Sequence, residues 1–427
     1  MRLKLLALGT IAAALSLCGC VTSETRPVPK IAAKQATVHI PEAELLDVGI
    51  RVFDPGIPKN LEGDEEALAK KRIYPDLRKA EARYMPTLLR ATLEETAQWG
   101  AVRVIPTTAD FVDVIVSGTL IDSNGGFLSI DITAVDAAGR VWIKDKRYSS
   151  LVDLGAYKTQ ASLKARDPFQ NVYSQIANDL VAARDKLTAL DRENIRRVAS
   201  LKFAADLAPD AMAGMTAVDK NGITQVARLP AQGDPTLGRI ERIRERDTAV
   251  VDTVNDYYAS FAENMDDSYD SWRQTSFSEL EKEMRARSAA RTRTVLGAAA
   301  LIAAIFAPNS CSTYDSCRIN NAARTAGTMG GIAAVLSGIK KYADARVHAD
   351  ALKELTQSFQ AEVAPQVVDV EGHTLRLTGT AEDQYREWRK LLKQLYLEET
   401  GNAAAPPPAA PAPATTNTAA TPATPSS

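Results

Sequence analysis

Four cysteines, three histidines and one acidic run are the side chains of this sequence with the clearest capacity for chemistry. Cys20 closes the stretch MRLKLLALGTIAAALSLCGC. There Arg2 and Lys4 make a cationic start, Leu5 to Leu17 an apolar run, and Leu17-Cys18-Gly19-Cys20 a small-residue cleavage site ending in a nucleophilic thiol. The chemistry this points to is export, removal of residues 1–19 and covalent attachment of lipid to Cys20. The apolar run is too short for a spanning helix, so acyl chains rather than a transmembrane segment are expected to hold the chain at a membrane. An ordinary secretory signal, cut without acylation, is the alternative. Cys18 is the rival lipid site, but Leu17 before it is bulkier than such sites usually carry.

These residues resemble the bacterial lipoprotein signal. In that family the residue after the acylated cysteine helps sort the protein, and here it is Val21 rather than aspartate. The resemblance implies an outer-membrane address facing the periplasm, with the membrane itself as the first partner.

With Cys18 removed and Cys20 lipidated, Cys311 and Cys317 remain as an even pair, and an oxidising compartment favours a disulfide between them. A free or metal-binding pair is the alternative. His39, His348 and His373 are too scattered to complete a metal site, so no metal and no cofactor beyond the lipid at Cys20 is expected. The sequence holds no Gly-x-Ser-x-Gly elbow, phosphate loop, His-Glu-x-x-His or Cys-x-x-Cys motif. The densest acidic cluster is Glu263, Asp266, Asp267 and Asp270, with Asp266 and Asp270 on one helical face. It is expected to be a solvated acidic face; a cation site is the alternative, without the glycine or spacing of a calcium loop. No catalytic residue is assigned, and a non-enzymatic protein is expected.

The elements that must position these groups follow from composition and periodicity. At 427 residues and 45% hydrophobic content the chain is long enough for two or three cored domains. Removing Arg2 and Lys4 with the signal lowers the basic count from 51 to 49 against 53 acidic residues, which gives no support to a nucleic-acid partner. Residues 20–36 are polar and Pro-containing, as expected of a tether. An α/β domain is expected over 37–155. Its elements are a buried strand at Leu45 to Phe53, a helix from Leu77 to Trp99 that Pro86 could divide and Gly100 could cap, and strands at Val102 to Ile105, Val112 to Ile121 and Phe127 to Val135. Asn124-Gly125-Gly126 supplies a hairpin turn, and Ala138-Gly139 turns the chain into Val141-Trp142-Ile143.

The stretch GAVRVIPTTADFVDVIVSGTL at Gly100 to Leu120 resembles the small α/β domains of outer-membrane lipoproteins of the curli-secretion type and the N-terminal domain of the TolB type. What this resemblance implies is a fold more than a function.

A helical region and connection are expected over 156–235, with Asp167 as N-cap and Pro168 at the first helical position of one helix and a second at Asn194 to Leu207. Residues 236–345 should hold a long helix and an apolar helical hairpin. Ile240, Ile243, Val250, Val254, Tyr257, Phe261, Met265, Trp272, Leu280 and Met284 form its stripe, whose partner is either this chain or a second copy. Val295 to Phe306 and Ala322 to Ile339 form the apolar hairpin, joined by the Cys311–Cys317 loop. Gly297, Gly327, Gly331 and Gly338 let its helices approach closely. A packed pair within the body, an oligomer interface and membrane insertion are its three readings. Residues 346–401 suggest a helix and a β-hairpin-helix module. In it VVDVEGHTLRLT at Val367 to Thr378, Gly379 and the helix Glu382 to Glu399 resemble half of a BON module, a periplasmic domain often tied to envelope association. Residues 402–427 are almost wholly Ala, Pro and Thr and cannot bury a core.

The expected class is therefore α+β: an N-terminal mixed sheet with a packed helix, a large helical middle, and a small C-terminal β-hairpin plus helix. The expected role is a non-enzymatic accessory or scaffold in envelope assembly or export, contacting envelope proteins and self-associating as a homo-oligomer. A pore subunit whose apolar hairpins enter the membrane is the alternative.

Overall fold

The computed structural model describes residues 29–306, except 154 and 232, together with 366–370, 373–377 and 381–400. Its architecture is α+β. Strands β1 (Val48–Arg51), β2 (Val102–Ile105), β3 (Val114–Asn124), β4 (Phe127–Asp136) and β5 (Val141–Leu151) form one mixed sheet in the order β2-β1-β3-β4-β5. β1 runs parallel to both β2 and β3, and β3, β4 and β5 form an antiparallel meander. Two carboxylates tie the starts of the parallel strands together. Asp47 Oδ1 accepts the Ala101 N–H before β2, and Asp113 Oδ2 accepts the Asp47 N–H before β1.

After the short α1 (Glu65–Lys70), helix α2 (Pro75–Glu95) crosses from β1 to β2. Pro75 opens it, where a missing N–H costs nothing, and Pro86 lies inside it without dividing it. A proline there cannot bond the carbonyl four residues back. That carbonyl, on Ala82, instead accepts the Phe53 N–H at 2.9 Å, so the chain just after β1 uses the acceptor that the proline frees. The helix ends at Thr96, and Ala97 takes the left-handed conformation. Gly100, expected to cap the helix, serves another purpose: a Cβ on it would collide with Asp47 Oδ1.

Helices α3 (Gln160–Ala165), α4 (Gln170–Arg184) and α5 (Ala189–Leu207) follow. The N-cap of α4 is Phe169, not Asp167; the Asp167 side chain accepts the Phe169 N–H at 2.7 Å from two residues upstream. α5 begins five residues earlier than the expected Asn194, because Thr188 and Asp191 form a reciprocal capping box. The small hairpin β6 (Thr216–Val218) and β7 (Thr224–Val226) leads into α6 (Pro235–Phe306). α6 is a continuous helix of 72 residues, about 108 Å long at 1.5 Å per residue. The long helix and the first arm of the expected hairpin, Val295 to Phe306, are one helix. Among the described residues no helix is long and apolar enough to cross a membrane. Beyond α6 the structure describes the hairpin β8 (Gln366–Val370) and β9 (His373–Leu377), then α7 (Ala381–Glu399).

Two large cores result. The first joins Val48, Val116, Ile130 and Ile132 of the sheet to Leu77 and Leu89 of α2, Val172 and Ile176 of α4, and Phe261, Met265 and Trp272 of α6. It therefore crosses the boundaries expected near 155 and 235. The second joins Phe203 and Leu207 of α5, Ile240 and Ile243 of α6, and Trp388, Leu392 and Leu395 of α7. From Ile240 to Trp272 the stripe of α6 thus packs on this chain. Tyr258 rather than Tyr257 fills the buried position, and the neighbouring Tyr257 ring meets it edge-on at 5.3 Å. α6 also covers the free edge of β2: Asn255 Oδ1 accepts the Val104 N–H at 2.9 Å, which blunts an edge that would otherwise pair with another strand.

Candidate functional site

Three features meet at one place on the body: the incoming tether, the tip of the β3–β4 hairpin and the middle of the long helix. The tether is built into the body from Pro29 onward. Asn171 donates to the Pro29 carbonyl at 2.9 Å and accepts the Ile31 N–H at 2.8 Å. Seven residues along the same face of α4, Asn178 donates to Ala32 O at 3.0 Å and accepts the Lys34 N–H at 2.8 Å. Each carboxamide thus presents one donor and one acceptor to the extended main chain, as a neighbouring strand would. Arg166 adds a bond to Ile31 O at 3.3 Å, and the Ala36 N–H closes the strap on Thr96 O at 2.8 Å. Of the expected tether 20–36, residues 29–36 are therefore docked.

The hairpin tip touches the helix backbone. The Gly125 N–H donates to Ser276 Oγ at 3.3 Å, and a Cβ on Gly125 would stand 2.5 Å from the Phe277 nitrogen. Gly126 sits against the Leu280 side chain. Tyr157, just before α3, donates to Gly125 O at 2.8 Å and packs on the Phe277 ring, 5.5 Å between centroids. Only residues without side chains allow this approach of strand turn to helix.

Beside the tip lies a buried polar seam. Glu81 of α2 is fully buried; its Oε1 accepts Ser123 Oγ at 2.6 Å and Tyr269 OH at 2.7 Å. Burial pushes its carboxyl up, against the pull of Arg78, whose Nε is 3.9 Å from Oε2. Tyr84 donates to Asp266 at 2.7 Å. Arg273, 3% exposed, donates to Asp167 at 2.6 Å and to Asp270, with its guanidinium 4.6 Å over the Tyr269 ring. Burial also raises the Asp270 carboxyl, while Arg273 pulls it down.

At the far end of α6 a cavity of about 120 Å³ opens between β1, β2, the loop before β3, α5, α6 and α7. Asp47, Arg103, Asp113, Arg244, Asp247, Thr248 and Tyr385 are its polar lining. Burial pushes the Asp113 carboxyl up to about 6, the backbone bond from Asp47 opposing it. Asp247 is saturated by α7, accepting Trp388 Nε1 at 3.2 Å and Tyr385 OH at 3.3 Å, with Arg389 at 3.4 Å. The Arg389 guanidinium lies 4.9 Å over the Phe111 ring and 4.8 Å over that of Phe203. The cavity is of a size for a few ordered waters or a small molecule. Among the described residues no group of three or more His, Cys, Asp or Glu could hold a metal ion.

The acidic run does not form the solvated face expected of it. Glu263 and Asp267 are exposed, but Asp270 is buried against Arg273 and Asp266 is bonded to Tyr84, because α6 turns that face into α2 and the loop before α4. Gly297 lies within α6. Cys20, Cys311, Cys317, Gly327, Gly331 and Gly338 lie outside the described residues. Sequence reasoning did not single out Asn171, Asn178, Glu81, Arg273 or Asp113. The only sequence signals for them were polar residues on otherwise apolar helix faces and an aspartate directly before a strand. No family model matches the chain, and no match is found among curated proteins or solved structures.

Proposed function

We propose that this protein is a lipoprotein held by acyl chains on Cys20 to the outer membrane, facing the periplasm. There it works as a non-enzymatic accessory or scaffold through contacts with envelope proteins. The observation that carries the reading is how the buried polar groups are used. Glu81, Tyr84, Asp167, Asp270 and Arg273 pair with one another or with Ser123, Asp266 and Tyr269, and together they hold one 72-residue helix on the sheet domain. Groups paired in this way between one helix and the elements it packs on serve rigidity.

The test compares two kinds of variant in a deletion strain with an envelope-permeability defect. Arg273→Met, which removes the grip on the helix, should fail to restore the barrier. Asp113→Asn, which removes the cavity carboxyl titrating near neutrality, should restore it. The opposite pattern would favour a carboxylate enzyme. Mass analysis of the mature N-terminal peptide tests acylation, and a ring of fixed stoichiometry that conducts ions in planar bilayers would favour a pore.

A further inference from the structure

We infer that the cavity between the sheet, α5, α6 and α7 is a binding site for a small apolar α-amino acid, with Arg244 holding its carboxylate and Asp113 and Asp47 its ammonium. The inference goes beyond the scaffold reading and does not rest on it.

Part of the charge lining the cavity is already engaged. Asp247 accepts from Tyr385 and Trp388 and pairs with Arg389. Arg103 gives Nε and Nη2 to Asp252, at 2.5 and 3.4 Å. Three other side chains keep unused capacity. Arg244 donates from Nη1 to Ser200 Oγ at 2.5 Å and has no acidic partner among the described residues. Its Nε and Nη2, the side of a guanidinium that meets a carboxylate through two parallel bonds, have no acceptor among them either. Asp113 is 4% exposed. Its Oδ2 accepts the Asp47 N–H at 2.9 Å and stands 3.9 Å from Arg196 Nε, while Oδ1 has no partner among the described residues. Asp47 accepts the Ala101 N–H with Oδ1, and its Oδ2 lies 4.0 Å from Arg103 Nη1, beyond hydrogen-bond reach. A nearly buried carboxylate oxygen left without a donor is costly, and a ligand that supplies one removes that cost.

The three groups act on one another. The Val114 N–H donates to Asp47 O at 3.0 Å and the Asp47 N–H donates to Asp113, so two carboxylates are locked together at the starts of β1 and β3. Burial is the first reason that the Asp113 carboxyl is pushed up to about 6; the Asp47 charge adds to it, and the Arg244 charge opposes it. A carboxylate ligand alone would set a further anion beside the two aspartates, and an amine alone would set a further cation beside Arg244. An α-amino acid carries both charges on one carbon and answers both. Thr248, one turn beyond Arg244 on the same face of α6, adds a hydroxyl to the lining. Ile105, Phe111, Phe203 and Val251 form the apolar wall, which suits an aliphatic side chain. The volume of about 120 Å³, against about 30 Å³ for one water in the liquid, sets the size class at alanine to valine.

The experiment titrates the full chain with L-valine in a calorimeter at neutral pH, where Asp113 is mostly ionised. Valine should bind saturably at one site. Isovalerate, which lacks the ammonium, and isobutylamine, which lacks the carboxylate, should each bind more than about tenfold more weakly. Arg244→Met and Asp113→Asn should each weaken valine binding by a similar factor, and Leu190→Ala, at an exposed position on α5, should leave it unchanged. Circular dichroism checks the fold of each variant. Asp113→Asn removes a buried charge while keeping an acceptor for the Asp47 N–H, so it serves even where Arg244→Met fails to fold. No saturable binding of glycine, alanine or valine in the millimolar range overturns the site. Isovalerate binding as tightly as valine makes it a plain carboxylate pocket and overturns the amino-acid assignment. Valine binding unchanged in folded Asp113→Asn places the ligand elsewhere and also overturns it.

Discussion

Arg273 on the long helix donates to Asp167 at 2.6 Å, across 106 residues of sequence and inside the protein. The guanidinium also holds Asp270, so one cation compensates two buried carboxylates. Removing it leaves both without their charge partner, which in buried settings costs about 3–5 kcal/mol. Arg273→Met should lower unfolding stability by that order in urea titrations near neutral pH. A loss below about 1 kcal/mol would mean the pair is screened as a surface pair is.

Gly125 offers a steric test of the same contact. A methyl group there meets the Arg273 carbonyl and the Phe277 nitrogen, both helix backbone that cannot rotate away. Gly125→Ala should cost about 1–3 kcal/mol, the usual range for overpacking. It should also speed limited proteolysis of α6 past Leu280, and equal proteolysis rates in parent and variant would refute the close approach.

The strap predicts a separable effect. Asn171→Ala with Asn178→Ala removes four hydrogen bonds to the main chain of residues 29–34. At about 0.5–1.5 kcal/mol net for each bond, most of the loss should appear as local release. Amide exchange at Ile31 and Lys34 should accelerate sharply while that of Ile130 in the sheet stays slow. Protection retained at Ile31 would show that other contacts hold the strap.

Asp113 predicts a pH dependence with a defined sign. Burial raises its carboxyl from 3.8 to about 6. The folded state therefore favours the protonated form. The group's contribution to stability is complete below about pH 3.8 and is lost as pH rises through about 6. Two pH units correspond to roughly 3 kcal/mol. Asp113→Asn, which keeps an acceptor for the Asp47 N–H, should be more stable than the parent at pH 7.5 by up to about that amount. The two should converge below pH 4, and a difference constant across pH would show that Asp113 does not titrate as stated.

Much of this architecture is legible in the sequence because it is local. The alternation through Val114 to Leu120, the turn at Gly125-Gly126 and the stripe of Ile240, Ile243, Val250 and Val254 each follow from a period that the chain repeats. What is not legible depends on partners far along the chain. Pro86 reads as a helix breaker until Phe53 takes the Ala82 carbonyl, and Asp270 reads as solvated until Arg273 turns inward with it. Asn171 and Asn178 are ordinary polar residues until residues 29–34 lie across them. The candidate site was the least legible part, because it consists almost wholly of such pairings.

The docking of α7 sets an order of assembly. Trp388 bonds to Asp247 across 141 residues, and Glu382 accepts from Thr107 across 275. The sheet, α2 and α4 pack on one another within the first half of the chain, and Phe261, Met265 and Trp272 of α6 complete their core later. The second core lacks Trp388, Leu392 and Leu395 until nearly the whole polypeptide has been made. Long-range closures of this kind are slow, because the entropy of the intervening loop is lost before the contact forms. Asp247 and the apolar faces of α5 and α6 therefore stay uncovered in the nascent chain, and that half-built groove is the surface a folding helper would have to shield.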